Sequence, residues 1–179
     1  MPAASRPKPV AGTASLYTEE QRRRRDSTRW TLVQGILAPV QFLVFLVSLG
    51  LVLRYVATGD GYGLAAASVV LKTAVLFLIM ITGSIWEKVV FDRWLFAPAF
   101  YWEDVFSMLV LALHSAYLVG LWLALEPMTL MTIALLAYLS YVINAAQFIW
   151  KLRMARLQGA RTARDDTTAD SDRSVEVAA

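Results

Sequence analysis

Four apolar runs, each long enough to cross a membrane, leave this chain few ways to fold. Trp30–Leu53 contains no charged residue over 24 positions, and Gly61–Trp86 contains one, Lys72. Val105–Leu125 has none over 21 positions, although it holds His114, and Pro127–Trp150 has none over 24. About 20 apolar residues of helix cross a hydrocarbon core of ~30 Å. In lipid a spanning segment of this kind must satisfy its own backbone as a helix. The chain is therefore expected to be an all-α integral membrane protein. Its four transmembrane helices are expected at about 30–55, 63–88, 104–125 and 127–151. Spans joined this closely predict an antiparallel bundle.

Charge is confined to the edges of that body. Only 17% of residues are charged, against about 25% in an ordinary soluble domain. Lysine and arginine also set the orientation. Arg22, Arg23, Arg24, Arg25 and Arg29 precede the first run, Lys88 and Arg93 lie between the second and third, and Lys151, Arg153 and Arg156 follow the fourth. The other two connections share only Arg54. Both termini and the Trp86–Asp104 connection are thus expected in the cytoplasm, and the bilayer itself is one partner. A basic excess at the membrane edge suits anionic headgroups; a nucleic-acid partner would need a basic folded face, and none is visible. The absence of cysteine excludes disulfides, thiolate metal sites and cysteine nucleophiles. A single histidine excludes a bis-histidine haem within one chain.

The flanks read differently. Residues 1–16 are rich in Pro, Ala and Ser and are expected to be disordered, as is the polar tail from 157 to 179. Thr18-Glu19-Glu20-Gln21 has capping-box spacing and predicts a short helix opening the membrane domain, 17–156. Gly59, Gly61 and Gly63 predict a turn.

Polar residues inside the runs are costly in hydrocarbon and mark helix contacts or function. They fall into stripes. Gln34, Gln41 and Ser48 are seven apart; Glu103, Ser107 and His114 share a face, as do Tyr141, Asn144, Gln147 and Lys151, and Lys72, Gly83 and Glu87. These stripes are expected to converge on one cavity. Trp86–Asp104, with seven aromatic residues and six charges, then closes its end. Lys72 is read as a structural pair or as the partner of an anionic ligand. His114 is read as a core residue, a metal ligand or a proton carrier.

Four stretches carry a family resemblance: Trp30–Phe42 (WTLVQGILAPVQF), Ile85–Phe91 (IWEKVVF), Leu95–Met108 (LFAPAFYWEDVFSM) and Tyr141–Phe148 (YVINAAQF). They resemble the bacterial chlorophyllide 3-vinyl hydratases, also called vinyl bacteriochlorophyllide hydratases, from about Tyr17 to Arg156. The resemblance implies an enzyme, a hydro-lyase. It would add water to the C3-vinyl group of chlorophyllide a or vinyl bacteriochlorophyllide, giving a 1-hydroxyethyl group in bacteriochlorophyll biosynthesis. It implies a chlorophyllide-type tetrapyrrole as ligand, no separate cofactor because magnesium arrives with the substrate, and association with other enzymes of that biosynthesis as a candidate partnership.

Roles follow from the chemistry of such a hydration. A proton must reach the terminal vinyl carbon, and water must attack the carbon attached to the ring. Glu87, Glu103 and Asp104 are the candidate acid and base, with ion pairing to Lys88 and Arg93 as the competing reading. His114 is a candidate axial ligand of the substrate magnesium, in competition with water held by Asn144 or Gln147. Trp86 and Trp102 are candidates to stack on the macrocycle or to sit in an interfacial belt. Lys72, Lys88 and Arg93 are candidates for the substrate propionate, and Gln41 for the cavity wall. A carrier or assembly factor, without chemistry, is the alternative. A quinone- or lipid-binding bundle or small transporter is a third reading; transport is disfavoured by the lack of an inverted repeat and of paired broken helices.

Overall fold

The computed structural model describes residues 17–178, so the expectation for 1–16 lies outside the described residues. These residues form five helices: α1 (Glu19–Ser27), α2 (Arg29–Thr58), α3 (Tyr62–Phe91), α4 (Tyr101–Trp122) and α5 (Pro127–Ala178). Four stretches are long and apolar enough to cross a membrane: α2, α3, α4 and Pro127–Met154 of α5.

Local chemistry explains most boundaries. Thr18 and Gln21 form the expected reciprocal box at the start of α1, each side chain serving the other's backbone amide. Gly59 ends α2 at φ 77° and Gly61 begins α3 at φ 85°, left-handed positions where a side chain would be strained. α4 ends at Trp122, short of the expected 125. Ala124 turns left-handed at φ 52°, and Pro127 then starts α5. Glu126 accepts the amide hydrogen of Thr129 at 3.0 Å. That bond, with a second from Met128, holds its carboxyl below the usual value. The last helix continues to Ala178, past position 157 where a disordered tail is expected; no proline follows Pro127 to stop it.

The fold is apolar outside and mixes polar and apolar residues inside. Leu32, Leu43, Val47, Leu64, Leu71 and Ile81 lie on the outer surface. Gln41, Ser48, Lys72, Glu87, Glu103, Asp104, Ser107, His114 and Asn144 are buried. Lipid is as apolar as leucine, so such helices gain from close packing and from hydrogen bonds between them. α2 buries Gln41, Phe45, Ser48 and Val52, a single stripe at spacings of four, three and four.

Two helix pairs, α2 with α3 and α4 with α5, make the most extensive contacts. Trp86 donates its indole N–H to Thr31 at 2.9 Å, Gln34 donates to Thr82 at 2.8 Å, and Ser48 bonds Ser68 at 2.7 Å. Ser48 also bonds the Tyr138 hydroxyl on α5, so one hydroxyl joins three helices. Around it lies an apolar core of Phe45, Val52, Val69, Tyr117, Leu130 and Met131.

Ser48→Ala and Tyr138→Phe should each cost about 1–2 kcal/mol. In a detergent-unfolding series the double variant should cost little more than either alone. Fully additive losses would contradict the junction.

Candidate active site

A cavity of about 1250 Å³ opens between α1, α2, α3 and α5, and reaches the start of α4. Drug-sized ligand pockets are typically about 300–1,000 Å³, so the space suits a large ligand. Small residues make it wide: Gly35, Ala38 and Gly83 lie on one side and Ala145 on another. A Cβ on Gly35 would meet nothing within 4 Å. Pro39 lines the same wall beside Gln41.

Glu87 and Asp104 lie together in the cavity lining. Glu87 sits near the end of α3 and Asp104 in the first turn of α4. The connection between them folds back over both. The Phe96 amide donates to Asp104 Oδ2 at 2.7 Å, and the Ala97 amide to Glu87 Oε2 at 3.4 Å. To present these amides the backbone takes left-handed turns at Asp92 (φ 61°) and Phe96 (φ 58°). Such positions cost a non-glycine residue energy and persist where surrounding structure holds them. Ala97, just before Pro98, is fully buried. The two carboxyls are close enough to hydrogen-bond each other.

Glu103 is placed differently, although it neighbours Asp104. Its Oε2 takes an ion pair from Lys151 of α5 at 2.6 Å, and it does not line the cavity. Successive helical residues diverge by about 100°, so the two side chains serve different neighbours. Lys88 pairs with Asp92 at 2.7 Å on an exposed surface, and this contact holds the Asp92 carboxyl below its usual value. The competing reading, pairing of the carboxylates with Lys88 and Arg93, thus gives way to Glu103–Lys151 and Asp92–Lys88.

Among the other expected residues, Gln41, Asn144 and Trp86 line the cavity. Asn144 donates to Ser107 at 2.8 Å, which leaves its Oδ1 without a partner, as both amide atoms of Gln41 are. Trp86 belongs to an aromatic cluster with Phe91 and Phe100, at ring distances of 5.7 and 5.8 Å. Trp102, 68% exposed, faces outward as an interfacial residue. Gln147, half-buried, does not line the cavity.

Lys72 and His114 are fully buried and also lie outside the lining. The Lys72 ammonium sits 3.9 Å from the centroid of the Tyr141 ring, a cation–π contact, and Tyr141 does line the cavity. Because the Val110 carbonyl can only accept, His114 Nδ1 carries the proton in its 2.8 Å bond. The Nε2 lone pair has no partner.

Sequence reasoning passed over several lining residues. Tyr17 is 7% exposed and stacks on Phe91 at 5.7 Å, closing the cavity from the α1 side. Its burial pushes the phenol above its usual value, and nearby Arg25 pulls it back. Arg22 and Arg25 of α1 and Arg156 of α5 line the cavity as well. The capping box predicted the helix that carries the first two, but helical spacing alone does not say which arginines line the cavity.

Comparison with known proteins adds a family. The sequence model described as 2-vinyl bacteriochlorophyllide hydratase matches residues 17–154. A protein of that name from Cereibacter sphaeroides is 66% identical over 149 residues, covering 83% of this chain and 93% of the relative. Another, from Rhodobacter capsulatus, is 62% identical over 146 residues, covering 82% and 85%. No solved structure matches the chain significantly.

Filling the cavity should abolish ligand uptake without unfolding the helices. Gly35→Trp should lose uptake of an environment-sensitive apolar dye, read by fluorescence titration, with an unchanged far-ultraviolet circular dichroism spectrum. Gly35→Ala should bind as the parent does, since its Cβ meets open space.

Proposed function

The chain belongs to the 2-vinyl bacteriochlorophyllide hydratase family, and from that premise we propose how its residues carry out the hydration. It is a hydro-lyase of bacteriochlorophyll biosynthesis, and its substrate is a tetrapyrrole. The vinyl group numbered 2 in the family name is the C3-vinyl group of the macrocycle numbering used above. The observation that carries the mechanism is the pair of carboxyls, Glu87 and Asp104, in the wall of one large cavity.

Two carboxyls in contact favour a state in which one proton is shared between them. Asp104 accepts the shorter amide bond, 2.7 Å against 3.4 Å, so the shared proton rests on Glu87. Glu87 gives that proton to the terminal vinyl carbon. The positive charge then sits on the carbon attached to the ring, where the macrocycle delocalises it. Asp104 orients a water molecule and takes its proton as the oxygen bonds to that carbon. The proton returns to Glu87 through the pair, and the sum is one water added. No basic side chain among the described cavity residues stands beside the pair to trap the cation: the basic lining residues are arginines outside the apolar spans.

The wall supplies the rest. Trp86 and Phe100 offer aromatic surface to the macrocycle. Magnesium carried by the pigment prefers oxygen, and Gln41 and Asn144 present unpartnered amide oxygens. His114 Nε2 has a free lone pair but sits outside the lining, so the amides, or a water they hold, are the better axial candidates. Lys72 acts through Tyr141. Glu103 takes a structural role with Lys151. The protein reads as an antiparallel bundle with cytoplasmic termini in the bacterial inner membrane. The pairings Thr31–Trp86, Gln34–Thr82 and Ser48–Ser68, which advance along α2 as they retreat along α3, support the antiparallel arrangement. Association with other enzymes of the pathway belongs to the same proposal.

Membranes containing the protein, given chlorophyllide and no added cofactor, should shift the pigment's long-wavelength band to the blue, with a mass gain of one water. Bound but unchanged pigment would favour the carrier reading. Glu87→Gln and Asp104→Asn should each lower the hydration rate by about 10²-fold or more, with pigment affinity preserved. Glu103→Gln should keep the rate within a few-fold. Loss of rate in Glu103→Gln alone would reverse the assignment.

A further inference from the structure

We propose that Arg22, Arg25 and Arg156 form a carboxylate-binding site at the rim of the cavity. It would hold the free propionate of the pigment and so decide which edge of the macrocycle meets the carboxyl pair. The proposal rests on the hydratase reading, and it concerns binding rather than the chemical step.

The arginine run of α1 divides by face. Arg23 pairs with Glu19 at 3.3 Å and Arg24 pairs with Glu20, all on the exposed side. Arg22 and Arg25, three residues apart and therefore on one face, line the cavity instead, and Arg156 lines it from α5. Arg25 is half-buried at the cavity, and Arg22 borders it from an exposed position. α1 is not a loose arm. Tyr17 buries its ring against Phe91 and Phe100, and the Arg25 guanidinium lies 4.8 Å from the centroid of that ring. Arg25 also donates to the exposed Asp26 at 2.8 Å, which uses part of its five-donor fork and leaves donors for a second acceptor.

The described cations of the lining are Arg22, Arg25 and Arg156, and its described anions are Glu87 and Asp104, at the α3–α4 end of the same cavity. A ligand that suits both has a carboxylate at one edge and its reacting group at another. The free-acid pigment has this shape, with the propionate and the vinyl group on different pyrrole rings. Arginine forks recognise carboxylates bidentately, which fixes orientation as well as adding affinity. Rim capture would therefore select the free acid over its ester and point the vinyl edge inward.

The test uses the full chain in lipid nanodiscs, with chlorophyllide and its methyl ester as probes and binding read by pigment absorption. The wild type should bind the free acid about 10-fold or more tightly than the ester, as expected for losing a charge-assisted contact. The combined variant Arg22→Gln, Arg25→Gln, Arg156→Gln should bind both at the affinity of the ester. Its hydration rate at saturating pigment should fall as well, because pigment held without the propionate contact presents other edges to the carboxyl pair. Arg156→Gln alone, at an exposed position on α5, should lose part of the discrimination and guards against misfolding of the combined variant. Arg23→Gln with Arg24→Gln should keep all of it. Equal binding of acid and ester by the wild type would overturn the site. So would full discrimination in the combined variant with only weaker association with anionic lipid vesicles, which would make the arginines a headgroup anchor. The same titrations in the Glu87→Gln background read binding without turnover, so discrimination there with no hydration by the wild type would leave this site standing and remove the hydratase mechanism alone.

Discussion

Two backbone amides hold the buried carboxyl pair of this protein in place. Those of Phe96 and Ala97 reach Asp104 and Glu87 from a connection that folds back between α3 and α4. Without them, two buried carboxyls would face each other with little to hold their positions, and burying such groups unpaired is costly. With them, the end of one helix and the start of the next form one unit. The left-handed turns at Asp92 and Phe96 are part of that cost. The aromatic packing of Trp86, Phe91, Phe100 and Tyr17 keeps the connection closed over the pair.

The lipid-facing surface makes this arrangement workable. Leucines and valines on the outside leave polar residues no stable place except the interior, where they must find partners or a ligand. Some find partners: Ser48 with Tyr138, Asn144 with Ser107, Glu103 with Lys151. Others keep open valences at the cavity, as Gln41 does. The satisfied polar groups join helices, while Gln41 leaves both amide atoms unpartnered at the cavity wall.

Much of this was legible in the sequence because it depends on local spacing. Uncharged runs gave the four spans, Thr18 to Gln21 gave the cap of α1, and the glycines at 59 and 61 gave the turn. The stripes through Gln41 and Asn144 pointed correctly to a shared cavity. What spacing could not reveal was partner choice across helices. Glu103 and Asp104 are adjacent and chemically alike, yet one is taken by Lys151 and the other by the amide of Phe96. Lys72 and His114 lie on interior faces but at positions where Tyr141 and other core residues stand between them and the cavity. The placement of Arg25 at the cavity depends on how α1 docks through Tyr17, a tertiary contact with no sequence signature of its own.

The most direct measurement is a cryo-electron microscopy map of the full chain with chlorophyllide bound. The account places the macrocycle between α2, α3 and α5, with its vinyl group against Glu87 and Asp104. A macrocycle lying on the outer apolar face, or a vinyl group directed at Glu103 and Lys151, would contradict it.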